Sequence, residues 1–292
     1  VTSAQGSVLT DSAASYMSKS LVGMKLIPDV QKPEETLSIT DNTATTITVS
    51  GTLPSGLIGK TYAGIVVVNG NLRVRNGVTL ELNGEVEAGA LSIESNATLT
   101  HSATTTAREY RLSVKAPKVT IDGTSRLDVS GRGYLGGRYG DNSGRTLGNG
   151  RGGTTCYSIG GGFGGRGGSG NSCDPNGVYG SAYEPVDLGT GGGSGGNNPA
   201  GNGGGAVRLE TDELVVDGAI RSNGDGVTSS SYASGGGSGG SVCVHTKKLA
   251  GTGLIEANGG SNTDGSFASG GGGRIALYYD ELTGLNLNNV TA

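Results

Sequence analysis

Three stretches in the C-terminal half alternate apolar and polar side chains: Ala206–Thr211, Ser241–Thr246 and Arg274–Tyr279. A period of two is that of a strand with one buried face. Their apolar pairs Val207/Leu209, Val242/Val244 and Ile275/Leu277 stand 35 and then 33 residues apart. Leu214 to Leu249 and Ile220 to Ile255 repeat the 35-residue step. An earlier copy reads Leu112/Val114, Val119/Ile121, Leu127/Val129. Further toward the N-terminus, Leu53 to Leu72, Leu72 to Leu91 and Leu80 to Leu99 are steps of 19 residues. Small turn residues fall between these positions, at Asn69-Gly70, Asn76-Gly77, Asn83-Gly84 and Ser95-Asn96. Fixed-period short strands joined by turns predict an all-β, right-handed parallel β-helix, because each coil must place matching side chains over the last. Asn-Gly turns also close antiparallel hairpins, so a meander or sandwich stays open as the alternative.

The repeat organises the chain into three parts. Residues 1–62 hold Thr36–Ile39 and Thr45–Val49, two strands joined by Asp41-Asn42, which predict a small β cap or linker element. Residues 63–130 carry the short repeats, and residues 131–292 carry repeats with Gly-rich insertions at 131–205, 225–240 and 259–273. Aligning the copies stacks Lys118, Glu213, Lys248 and Glu281 into a column of alternating sign. Opposite charges at one strand spacing (~4.8 Å) fix register without repulsion.

Composition sharpens this picture. Of 292 residues 59 are Gly, 11 of them in residues 1–130 and 48 in residues 131–292. No three-residue period holds, which excludes collagen. Long Gly runs adopt polyproline-II conformation and bond laterally where no Cβ intervenes, so the insertions are expected to pack on one another as polyproline-II-like runs. Eight aromatics lie in them: Tyr134, Tyr139, Tyr157, Phe163, Tyr179, Tyr183, Tyr232 and Phe267. Two roles stand open for these rings, as anchors pinning the runs to the sheet or as an exposed surface that stacks on sugars or on another subunit.

Cys156 and Cys173 bracket the 16-residue tract Tyr157–Ser172. Closing such a loop with a disulfide contributes ~3 kcal/mol in the chain-entropy model, and a disulfide implies an extracellular setting. The alternative is two free thiols in a reducing compartment. Cys243 aligns with Arg208 and Ala276 on the outward side of its strand, as a lone thiol under a loop or an intermolecular link.

The net charge of −4 gives no basic face for phosphates, so no nucleic-acid partner is expected. No apolar run approaches the ~18 residues of a membrane span. With 2 His and 3 Cys, no metal centre and no cofactor are expected. Asp141, Asp174, Asp225 and Asp264 sit in turns that offer weak calcium binding, but they lack the calcium-binding nonapeptide pattern. Catalytic signals are sparse: His101 and His245 read as solvated surface side chains, and Asp122, Arg126 and Asp128 read as turn and surface residues rather than a lyase-like groove. The start at Val1-Thr2-Ser3 reads as that of a mature chain or a piece of a longer one.

The blocks Leu127–Tyr134, Gly203–Leu209 and Gly270–Leu277 resemble the Gly-rich β-helical segments of very large bacterial surface or secreted adhesin-like proteins. Thr43–Val49 resembles the module that often precedes them. Gly-rich sandwiches of phage fibre tips are a looser similarity. The resemblance implies an extracellular or cell-surface, adhesin-like or fibre-forming part, and it carries over no catalytic residue. The expected function is therefore a non-enzymatic structural or adhesive module that displays Gly/Tyr loops to a polysaccharide, a cell-surface glycan or neighbouring subunits. The alternatives are a carbohydrate-active β-helix enzyme (a lyase or hydrolase) and a self-assembling filament subunit or fibre tip.

Overall fold

The computed structural model describes residues 1–138, 144–146, 150–151, 159–169, 177–194, 199–227, 234–261 and 268–292. The chain is all-β, with no α-helix among the described residues. Its strands in the N-terminal region are β1 (Ser3–Gln5), β2 (Val8–Thr10), β3 (Lys25–Ile27), β4 (Leu37–Asn42), β5 (Thr46–Val49) and β6 (Ala63–Val74). Next come β7 (Thr79–Glu81), β8 (Gly84–Ile93), β9 (Thr98–Thr100), β10 (Leu112–Lys115), β11 (Lys118–Ile121), β12 (Arg126–Asp128), β13 (Arg145–Thr146) and β14 (Gly150–Arg151). The last are β15 (Ala206–Glu210), β16 (Glu213–Val216), β17 (Ala219–Arg221), β18 (Ser241–His245), β19 (Lys248–Ala250), β20 (Leu254–Glu256), β21 (Arg274–Tyr278), β22 (Glu281–Thr283) and β23 (Val290–Thr291).

Two compact units are present, one of residues 1–69 and 84–87, the other of residues 70–83 and 88–292. The first is antiparallel: β1 pairs with β2, β2 with β5, β5 with β4, β4 with β3, and β3 with β6. Of the two strands expected in residues 1–62, the second is β5, but the first runs on as β4 to Asn42. Asp41 and Asn42 pair with Thr48 and Ile47 rather than forming the turn, and the register shifts between Ile39 and Asp41. The turn falls after them, where the Thr43 N–H donates to Thr46 O. Leu9, Leu26, Ile39, Ile47, Val49, Leu53 and Leu57 form this unit's core. The sheets of the molecule are thus mixed, since the second unit is built on parallel pairing.

Three parallel ladders run through the second unit. In the first, Leu112, Val207, Val242 and Ile275 stand side by side on β10, β15, β18 and β21. In the second, Leu91, Val119, Leu214, Leu249 and Leu282 do so on β8, β11, β16, β19 and β22. In the third, Leu80, Leu99, Leu127, Ile220, Ile255 and Val290 do so on β7, β9, β12, β17, β20 and β23. Equivalent apolar side chains therefore stack at one strand spacing, and most are removed from water: Leu91, Leu99, Leu127, Leu214, Ile220, Leu249 and Ile255 have no exposed surface. Burying each such chain contributes ~1.5–3 kcal/mol, which is what makes the register specific.

The short repeats differ from the expected form. Strands β6 and β8 run 12 and 10 residues, longer than the short strands expected for residues 63–130. Gly70 takes φ 108° inside β6, so a Gly that reads as a turn bends a strand without ending it. The Asn76-Gly77 and Ser95-Asn96 turns do form, with φ of 63°, 71°, 59° and 62°. They stack one above the other, the Gly77 N–H donating to the Ser95 carbonyl at 2.9 Å.

The Gly-rich runs near 159–164, 189–194, 201–205, 235–240 and 268–273 contain neither strand nor helix, yet the first four are largely buried and the last is partly so. Their backbones bond to one another. The Gly133 N–H donates to Gly203 O at 2.7 Å, Gly203 to Tyr134 O at 2.8 Å, Gly204 to Ser238 O at 2.8 Å and Gly201 to Gly235 O at 3.0 Å. Gly161 donates to Gly236 O, and Gly271 to Gly161 O, both at 2.8 Å. Buried peptide groups require such partners, and only a residue without Cβ permits this approach.

Candidate functional site

The outward face of β15, β18 and β21 carries a cluster of polar and titratable side chains. Register places Cys243 between Arg208 and Ala276, and His245 between Glu210 and Tyr278. Strand alternation turns these side chains away from the Val207/Leu209 face. The segment 177–188 lies over them and is tied down along its length. Arg274 Nε donates to Tyr179 O at 3.1 Å, Tyr278 Oη to Tyr183 O at 2.7 Å, Arg111 Nε to Val186 O at 2.9 Å and Ser241 Oγ to Asp187 O at 2.6 Å. A Ser181 side chain accepting from the Glu184 N–H at 3.0 Å shapes the bend from which the exposed Glu184 reaches Arg208 and His245.

Glu184 is the hub. Its Oε2 accepts from Arg208 Nη1 at 2.5 Å and from the Cys243 thiol at 3.6 Å, and its Oε1 lies 3.1 Å from His245 Nε2. The donation from Arg208 holds the Glu184 carboxyl below its usual range. The His245 ring stacks on Tyr278 at 4.6 Å between centroids and 17° between planes. Cys243 is fully buried, and burial pushes its thiol up to about 11, with Glu184 adding to the effect. A thiol held protonated at neutral pH is not the activated nucleophile of a cysteine hydrolase. Ligand atoms of Glu184, Cys243 and His245 all lie within 4.8 Å of one another. Alongside runs an open groove of about 530 Å³ whose lining includes Lys115, Pro117, Arg208, Glu210, His245 and Lys247.

The residues singled out from sequence distribute unevenly. Tyr134 and Phe163 are fully buried, so they present no ring to a ligand and are anchors: the Tyr134 hydroxyl donates to Glu109 at 2.9 Å, and Phe163 packs on Tyr179 at 4.9 Å. Tyr179 is half-buried, its hydroxyl donating to Leu188 O at 2.5 Å, and burial raises its phenol above the usual range. Tyr183 alone of the four described rings is fully open, at 79% exposure. Tyr139, Tyr157, Tyr232 and Phe267, and the Cys156–Cys173 pairing, lie outside the described residues, as do Asp141, Asp174 and Asp264. Asp225 accepts from Asn202 Nδ2 at 3.1 Å, and burial raises its carboxyl.

The charged column takes the aligned register: Lys118 sits beside Glu213, Glu213 beside Lys248, and Lys248 beside Glu281, with ion pairs of 2.9 Å for the first and 3.8 Å for the last. Asp122 caps a turn. Desolvation opposes its charge, but donation from the backbone of Ser95 and from Thr124 outweighs that and holds it down to about 2. His101 is not the surface side chain expected. It is fully buried between the ladders, its Nδ1 bonded to Ser102 O at 2.8 Å and its Nε2 accepting from the Ala206 N–H at 3.2 Å. No helix among the described residues is long and apolar enough to cross a membrane.

The residue that sequence reasoning missed is Glu184. It lies in the excursion 131–205, which has no repeat partner from which its position could be read. Compared with protein-family models, curated proteins and solved structures, the chain gives no match.

Proposed function

We propose that this chain is a non-enzymatic structural and adhesive module of an extracellular surface or fibre. In this reading the three ladders wind as a right-handed parallel β-helix, and the Gly-rich runs pack against it as polyproline-II-like strands. The observation that carries it is the mutual bonding of those runs, such as Gly203 to Tyr134 O and Gly204 to Ser238 O at 2.8 Å. Gly-rich sequence is costly to order at ~1–2 kcal/mol per residue. A chain that orders so much of it supports a role in rigidity rather than in loop motion. The surface left for a partner is then Tyr183 and Tyr279 with the groove beside Arg208 and His245, in place of a display by the Gly runs themselves. Exposed aromatic faces flanked by hydrogen-bonding side chains suit sugar rings.

A glycan array on the purified chain, run beside a polysaccharide-degradation assay, tests this. Binding that weakens in Tyr183→Ala and Tyr279→Ala without release of reducing ends or unsaturated products is the expected result. Turnover of any polysaccharide would overturn the structural reading and favour a carbohydrate-active enzyme.

A further inference from the structure

We propose that Glu184, Cys243 and His245 form a binding site for one zinc-class divalent cation, held by the Cys243 sulfur, whose thiol proton is released to solvent as the ion binds, an imidazole nitrogen and a carboxylate oxygen. Geometry carries the inference. A tetrahedral ion with bonds of ~2.3 Å to sulfur and ~2.0 Å to nitrogen and oxygen has S···O and N···O edges of ~3.5 and ~3.3 Å. Here Cys243 Sγ and Glu184 Oε2 are 3.6 Å apart, and His245 Nε2 lies 3.1 Å from Oε1 and 3.2 Å from Oε2. The third edge, sulfur to nitrogen, is within 4.8 Å. The two edges that meet at the carboxylate are thus already close to those of a coordination polyhedron, and the sulfur–nitrogen edge closes on the ion.

The three ligands are held before any ion arrives. Cys243 and His245 are two apart on one strand face, fixed by pairing to Arg208 and Glu210 on one side and to Ala276 and Tyr278 on the other. Tyr278 sets the plane of the imidazole by stacking, and the same Tyr278 hydroxyl clamps the backbone next to Glu184 through Tyr183 O. One side chain thus orients two ligands, as outer groups do at metal centres. The mixed sulfur, nitrogen and oxygen set suits a borderline ion of the zinc type, not calcium or magnesium, which take oxygen alone. Three protein ligands leave a fourth position for water.

Arg208 is the resident competitor. Its Nη1 lies 2.5 Å from Glu184 Oε2 and 3.6 Å from Cys243 Sγ, so the guanidinium supplies the positive charge the cluster attracts. Its Nε stays bonded to Glu210 at 2.9 Å, which gives the side chain a second anchor when an ion displaces Nη1. A plain ion-pair network would need Arg208 and Glu184 but no thiol, and this difference is what the experiment reads.

The full chain, kept under a non-thiol reductant, is titrated with Co²⁺ as a spectroscopic stand-in for zinc, followed by displacement with Zn²⁺. One equivalent is expected to raise a thiolate-to-cobalt charge-transfer band that Zn²⁺ abolishes. Cys243→Ser removes the band. His245→Ala, at a side chain one-third exposed and so safe for folding, weakens binding beyond the ~10–100-fold typical of an outer-group change. Glu184→Gln weakens it, and Arg208→Gln tightens it by removing the competitor. The absence of a band, a band surviving in Cys243→Ser (which would then belong to Cys156 or Cys173), or unchanged affinity in His245→Ala with unaltered circular dichroism would each overturn the site.

Discussion

The Ala206 N–H donates to Nε2 of His101 across 3.2 Å, although 105 residues separate the two. The ring is neutral in the fold, with Nδ1 donating to Ser102 O, and desolvation drops its pKa from 6.5 to about 4. A protonated ring would lose the bond from Ala206 and gain a buried charge.

Acid sensitivity follows from this ring. The unfolded chain takes up a proton below its ordinary value of 6.5, whereas the fold resists until about 4. The stabilisation is therefore complete above pH 6.5 and is lost as pH falls through that window, by about 3 kcal/mol in full. Urea unfolding across the window is expected to show this slope, and His101→Gln, which keeps an acceptor for Ala206, is expected to flatten it.

Close backbone approach makes one Gly indispensable. A methyl on Gly203 would lie 1.9 Å from the Gly189 carbonyl oxygen. Gly203→Ala is expected to destabilise by ~3 kcal/mol, the upper part of the range for overpacking. Gly177→Ala, where nothing lies within 4 Å, is expected to change stability by less than ~0.5 kcal/mol. Denaturant midpoints of the two variants decide it.

The stacked apolar positions should respond as core. Leu214 is wholly buried between Val119 and Leu249. Leu214→Ala is expected to cost ~2–5 kcal/mol in chemical denaturation, the cavity range. Val215→Thr, on the opposite and half-exposed face, is expected to cost far less.

Register also has an electrostatic signature. Lys118→Glu places a like charge beside Glu213. A small drop in Tm is expected at low salt and a much smaller one near ~1 M, where the screening length is ~3 Å. The swap Lys118→Glu with Glu213→Lys is expected to recover most of the loss.

Repetition decided how much could be read from sequence. Val207, Val242 and Ile275 recur because the first ladder demands an apolar side chain at one position of each copy, and the same holds for Leu214 with Leu249 and for Ile220 with Ile255. The antiparallel pairing of β3 with β6 has no such repeat and left no periodic trace. His101 looks polar in sequence, and only the long-range approach of β15 buries it. Cys243 and His245 were placed on the outward face by alternation alone. Their partner Glu184 comes from a single-copy segment whose path is set by distant contacts with Arg111, Ser241 and Tyr278, none of which local pattern encodes.

The steps of the first ladder are unequal: 95 residues from Leu112 to Val207, then 35 to Val242 and 33 to Ile275. For free chain, bringing together ends 95 rather than 35 residues apart costs about 0.9 kcal/mol more in closure entropy. Assembly should then zip from β15 through β21 first, and the joining of β10 to β15 should arrive as the late, slow event, with hydrogen exchange protection at Leu112 lagging that at Val242.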